Sequence, residues 1–177
     1  MHGSRALALL AVVFLVAPLA GCSIGTPPGY LDIILVKKTS SREYYSKIES
    51  SIVFAQARTG DGEIKSWFFL DSPIPVEFVA LEDDPDGIVV VSGKMNASRF
   101  DRVGVTLNPI NATDEDGNAT GINTQNRFLF VEFPFEVQPK KRTVVTLDVW
   151  VNRLSDGRLF LEGNPAGTSY LVTGTGS

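Results

Sequence analysis

Thr143-Val144-Val145-Thr146-Leu147-Asp148-Val149-Trp150-Val151 sets Val145, Leu147, Val149 and Val151 on one side of an extended chain and Thr146 and Asp148 on the other. Successive side chains of a strand point to opposite faces, so a period of two predicts a strand with one dry and one wet face. Trp150 falls on the wet face beside Asp148.

Working outward, Leu31–Val36, Ile48–Ala57, Ile64–Leu70, Ile88–Met95, Phe100–Leu107, Phe128–Val137, Leu159–Leu161 and Ser169–Val172 are likewise rich in β-branched and aromatic residues. Turn-formers separate them: Gly60-Asp61-Gly62, Asp86-Gly87, Gln138-Pro139-Lys140-Lys141 and Ser155-Asp156-Gly157. Only Ser40–Lys47 reads as helical, with Ser40 and Glu43 at capping-box spacing and Tyr44 and Ile48 on one face. Asn108–Asn126 is polar and aperiodic, and reads as a long exposed loop. Phe128 and Phe130 share one face of their strand while Phe133 and Phe135 share the other, so that strand is covered on both sides or kinked at Pro134. About nine short strands and one short helical turn predict an all-β fold, an antiparallel β-sandwich of immunoglobulin-like or transthyretin-like kind.

Of the 177 residues, the only histidine is His2 and the only cysteine is Cys22. The chain beyond Cys22 therefore has no imidazole for acid/base work, no Ser/His or Cys/His nucleophile pair, no His/Cys ligand set for zinc, copper or iron, and no disulfide. No cofactor is implied. A formal charge of −4 with interspersed signs predicts no polybasic face, and neither nucleic acid nor an anionic bilayer surface as a partner.

The start of the chain has a short basic lead ending at Arg5, an apolar stretch from Ala6 through Val16 to Pro18-Leu19-Ala20, and then Gly21-Cys22. Crossing a bilayer takes about 20 apolar residues, so this stretch is short for a transmembrane helix and has the three-part layout of a secretory signal. Leu19-Ala20-Gly21-Cys22 resembles the lipobox of prokaryotic lipoproteins, which implies lipid on Cys22 as the new N-terminus. The expected organisation is a signal peptide over 1–21, a lipidated Cys22 and tether over 22–29, one sandwich domain over 30–173 and a fraying tail over 174–177.

Three sequons are candidate glycosylation sites: Asn96-Ala97-Ser98, Asn111-Ala112-Thr113 and Asn118-Ala119-Thr120. Asp114, Asp116 and Asn118 alternate as oxygen donors for calcium, but the glycine and the terminal glutamate of an EF-hand loop are not in place. A solvated acidic turn is the expectation there, as for Glu82-Asp83-Asp84-Pro85-Asp86. No metal site is expected. Trp67, Phe68 and Phe69, with Phe128, Phe130, Phe133 and Phe135, are mostly expected in the core rather than on a sugar-stacking platform.

From Gly29 to about Val172 the chain resembles a prokaryotic domain-of-unknown-function family, number 4382. The resemblance lies in the apolar segment Pro75-Val76-Glu77-Phe78-Val79-Ala80-Leu81, the strand Phe100-Asp101-Arg102-Val103-Gly104-Val105-Thr106-Leu107, and the late hairpin from Gln138 through Leu147-Asp148-Val149. Lys37-Lys38-Thr39 and Ser98-Arg99 depart from the family's pattern. The resemblance implies a surface β-sandwich and carries over no catalytic residue.

The expected function is a non-enzymatic, membrane-anchored lipoprotein facing outward, or into a periplasm, and binding a surface protein or glycan. Two other readings are a carboxylate hydrolase acting on surface polysaccharide, motivated by the acidic clusters, and a solute-binding lipoprotein.

Overall fold

The computed structural model describes residues 26–59, 66–121 and 127–174. The signal segment, Cys22, the Gly60-Asp61-Gly62 turn and the end of the tail lie outside them, as do the side chains of residues 66–71. Nine strands follow one another: β1 Gly29–Val36, β2 Tyr45–Arg58, β3 Ser66–Glu77, β4 Ile88–Met95, β5 Ser98–Asp114, β6 Phe128–Val137, β7 Arg142–Arg153, β8 Leu159–Gly163 and β9 Ser169–Thr173. One sheet has the order β4-β1-β7-β8, with β9 also on β7; the other has the order β3-β2-β5-β6. The chain is a β-sandwich.

Alternation places the core where the period of two requires. Leu31, Ile33 and Leu35 from β1 and Val145, Leu147 and Val149 from β7 meet Ile48, Ile52, Val103, Val105 and Leu129 from the facing sheet, all fully buried. The pairing is antiparallel except between β1 and β7, which run parallel from Tyr30↔Arg142 to Val36↔Asp148. A parallel neighbour needs a long crossover, here the whole chain between them, so local spacing carries no sign of it. On the other side of β7, β9 pairs with Arg142–Thr146 and β8 with Val149–Arg153. These two short strands form one edge, interrupted over residues 164–168.

Three expectations are corrected. Ser40–Lys47 is not helical: a single turn, closed by the N–H groups of Tyr44 and Tyr45 on the Ser41 carbonyl, leads directly into β2. Burial of Tyr45 and Ile48 in the sandwich decides the matter, and the one helical turn is a 3-10 turn at Ala80–Asp83. Asn108–Asn126 is not one long loop, because β5 runs on to Asp114. Leu107 faces Ile52 and Ile110 faces Ser50, so Asn108 and Pro109 oppose the single residue Ser51. That bulge moves the buried positions from Val103, Val105 and Leu107 to Ile110 and Ala112, which erases the period. Finally, Asp148 is not on a wet face but has no exposed surface.

Among the described residues no helix is long and apolar enough to cross a membrane. Leu147→Ala should cost about 2–5 kcal/mol in denaturant unfolding. Ile110→Asp should be severely destabilising while Asn111→Asp changes little; equal effects at 110 and 111 would contradict the extension of β5 through this segment.

Candidate functional site

Two buried polar clusters lie at or near the end of the sandwich where β1 finishes. In the first, the Lys37 Nζ is 2.6 Å from Glu82 Oε1, with side-chain exposures of 0% and 8%. Glu82 also accepts from the Ser41 N–H and hydroxyl at 2.9 Å each and from the Ser40 hydroxyl at 2.9 Å. Lys37 donates as well to the Thr39 carbonyl, and Arg42 reaches Asp83. Burial pushes the Glu82 carboxyl up, but the Lys37 ammonium and the Ser41 and Ser40 donors outweigh it and hold the group below its ordinary value. This cluster staples the β1–β2 connection to the 3-10 turn.

In the second cluster, the Asp148 carboxylate accepts from the Asn164 amide at 2.6 Å and from the Lys38 N–H at 3.0 Å. The Asp148 N–H donates to the Thr168 hydroxyl at 3.2 Å, and its carbonyl accepts the Asn164 N–H at 2.8 Å. Thr168 donates in turn to the Asn164 carbonyl at 2.7 Å, and Lys38 Nζ to the Gly167 carbonyl at 2.6 Å. A Cβ at Gly167 would overlap the Asp148 carboxylate and the Asn164 amide, so glycine is required by close approach. The 164–168 interruption of the edge thus encloses a carboxylate and supplies its donors.

Two of the acidic residues singled out from sequence, Asp84 and Asp114, cap their own turns. Asp114 Oδ1 accepts the N–H groups of Asn118 at 2.8 Å and Asp116 at 3.0 Å, and chiefly the Asn118 N–H holds its carboxyl below the ordinary value. Asp114, Asp116 and Asn118 therefore form a capped turn rather than a ring of oxygens around one point. Among the described residues no group of three His, Cys, Asp or Glu side chains is placed to hold a metal ion. Asp84 likewise accepts the N–H groups of Asp86 and Gly87 at 3.0 and 3.2 Å. Glu77 takes three backbone N–H groups, those of Ile48, Val79 and Ala80. Glu77 and Asp84 share a hollow of about 190 Å³ with Leu81 and Ile88, but each is already a structural acceptor. The three sequon asparagines are all exposed: Asn96 at the turn between β4 and β5, Asn111 and Asn118 toward the opposite end of the molecule. Cys22 lies outside the described residues.

What remains open is the seam where the edge of β6 approaches β8 and β9. A Cβ at Gly163 would strike Val131 and the Phe130 carbonyl, so the sheets close tightly there. On one side of that contact, Phe128, Phe130, Phe160 and Glu162 line a hollow of about 240 Å³. Phe128 and Phe130 lie 5.7 Å apart, and the Arg102 guanidinium sits 4.4 Å over the Phe130 ring while pairing with Glu132. On the other side, Arg99, Pro134, Phe135, Glu136 and Tyr170 line a hollow of about 380 Å³. Tyr170 meets Phe133 at 5.9 Å and Phe135 at 6.5 Å. Phe130 is 42%, Tyr170 44% and Leu171 63% exposed. Phe133 and Phe135 face the core and Phe128 and Phe130 the outside, as their spacing predicts; Trp150 is half-buried with its indole Nε1 enclosed and unpartnered among the described residues. The seam offers aromatic stacking surface flanked by carboxylates and guanidinium groups.

Sequence reasoning expected Glu82 in a solvated acidic turn, which its burial against Lys37 corrects, and it missed Lys37, Asn164 and Thr168, whose roles come from contacts across the fold. A charged residue at the centre of the alternating run at Asp148 was the one local sign. Compared with protein-family models, curated proteins and solved structures, the chain has no match in any of the three.

Glu82→Gln should cost about 3–5 kcal/mol at neutral pH, because it leaves a buried ammonium without its counter-charge. A carboxyl held down in the folded chain contributes fully above its unfolded value, near pH 4.3, and loses that contribution as pH falls through the lower folded value. Wild-type stability should thus fall more steeply below about pH 4.5 than that of Glu82→Gln. Parallel profiles in acid unfolding would count against the pairing.

Proposed function

We propose that the chain is an exported lipoprotein, held by lipid on Cys22 with its sandwich facing away from the membrane, and that it acts as a non-enzymatic binding module for a surface protein or glycan. The observation that carries the binding reading is the contrast between its polar and aromatic groups. The carboxylates of Glu82, Asp148, Glu77, Asp84 and Asp114 are satisfied internally and build the fold, whereas Phe130, Tyr170 and Leu171 stay exposed. Exposed aromatic surface rimmed by charge is the usual make-up of a recognition site. The anchor reading rests on Leu19-Ala20-Gly21-Cys22, and membership of family 4382 and occupancy of Asn96, Asn111 and Asn118 belong to the same proposal. No observation favours the hydrolase or solute-capture readings.

Intact mass of the protein extracted from its own membranes tests the anchor. The expected species begins at Cys22 and carries a lipid adduct, and an unmodified chain would sink this part. For the binding face, cell-surface glycan and protein fractions should be retained by the wild-type chain. Phe130→Ser combined with Tyr170→Ser should weaken retention about tenfold or more, as for hot-spot aromatics worth 1.4 kcal/mol or above; equal retention would remove the seam from consideration.

A further inference from the structure

We infer that the end of the sandwich from which the tether departs is a seat for anionic lipid headgroups, which hold the domain upright on the membrane; this rests on the lipoprotein reading. The register places the start of β1 and the end of β9 at that end, since Gly29 pairs with Met95, Tyr30 with Arg142, and Arg142 with Thr173. Lys94, Arg99, Lys140, Lys141 and Arg142 gather there. The tether is tied to the basic turn: the Lys140 N–H donates to the Pro28 carbonyl at 3.0 Å, and the Tyr30 N–H to the Lys141 carbonyl at 2.8 Å. Lys140 holds a positive φ of 58°, which fixes the tight turn. Lys94 and Arg142 flank the Tyr30 ring at 6.0 and 5.6 Å.

Among the described residues the carboxylates of this end are fewer. Asp32 is bound by Arg142 at 2.5 Å, and Glu136 faces Arg99 across the β5–β6 ladder. Asp101 is half-buried. Among the described residues no ion pair engages Lys94, Lys140 or Lys141, all exposed. The opposite end carries Asp83, Asp84, Asp86, Asp114, Asp116 and Asp156. Residues 60–65, with Asp61, Glu63 and Lys65, lie outside the described residues.

Distance decides whether the net charge of −4 matters. The fourteen residues of β2 span roughly 45 Å, several times the Debye length of about 8 Å at physiological salt, so each end meets its surroundings separately. A membrane surface sees the basic end and not the molecular total, and here the proposal departs from the expectation, drawn from net charge, that an anionic bilayer has no part. The six residue steps from Cys22 to Pro28 reach at most about 20 Å, so the tether keeps this end within range of the headgroups. The acidic end is then turned outward by the same field.

The test reconstitutes the membrane-extracted chain into vesicles of phosphatidylcholine alone or with about a third phosphatidylglycerol, and measures acylation rates of individual lysines by mass spectrometry. Each cation near an anionic surface strengthens attachment about fivefold. Lys94, Lys140 and Lys141 should therefore react several-fold more slowly on the anionic vesicles, with full reactivity restored in high salt, while Lys47 at the other end is unchanged. In Lys140→Glu/Lys141→Glu the protection of Lys94 should disappear. Equal rates at all lysines on the two vesicle types would overturn the proposal. Failure to sediment with the neutral vesicles would instead remove the anchor, and protection of the same three lysines on adding anionic vesicles would still decide the basic seat.

Discussion

A carboxylate with no exposed surface must find hydrogen-bond donors inside the protein, and Asp148 sits midway along the strand on which one whole sheet is assembled. β1 lies along one edge of β7 and its continuation delivers the Lys38 N–H. The other edge breaks its ladder over 164–168 so that Asn164 and Thr168 can turn inward and complete the set. The break divides what would be one long edge strand into β8 and β9, each of five residues. A short β9 leaves Tyr170 and Leu171 little covered, and β6 stands against them with its own aromatic residues. The open seam is therefore a consequence of how the interior charge is accommodated.

Nine strands could be read from the chain because each has enough β-branched and aromatic residues between turn-formers, and because Gly87 and Gly157 hold the positive φ their turns require. Alternation failed as a guide in two places for one reason. At Asn108-Pro109 a bulge reverses the phase, so Ile110 and Ala112 look unrelated to Leu107 although all three point inward. At Asp148 the residue keeps the outward phase, yet the 164–168 segment folds over it. Periodicity reports which face a side chain is on and not what later covers that face. The Ser40–Glu43 spacing misled differently: a capping signal needs an amphipathic stripe behind it, and burial of Tyr45, Ile48 and Ile52 favours the sheet.

The seam was legible only in part. The opposite facing of Phe128/Phe130 and Phe133/Phe135 followed from their spacing, but that the outer pair would meet Phe160 depended on how closely β8 approaches β6 at Gly163. The Lys37–Glu82 cluster was not legible at all, since the two residues are 45 apart in sequence and nothing in either neighbourhood names the other.

The same division separates the lysines. Lys37 is buried in an ion pair, Lys38 holds the Gly167 carbonyl and Lys47 pairs with Glu49 at 2.8 Å. These three serve the fold at the end far from Gly29, where carboxylates are plentiful. Lys94, Lys140 and Lys141 make no ion pair among the described residues, although acidic side chains elsewhere on the surface outnumber them. A chain with one cysteine can form no internal disulfide and depends on internal pairing for its stability, so cations left unpaired at one end contribute nothing to that stability. Their common position beside Pro28, reinforced by the hydrogen bond from Lys140 to its carbonyl, leaves a concentration of unpaired positive charge at one end of the sandwich, and that asymmetry is what the headgroup proposal rests on.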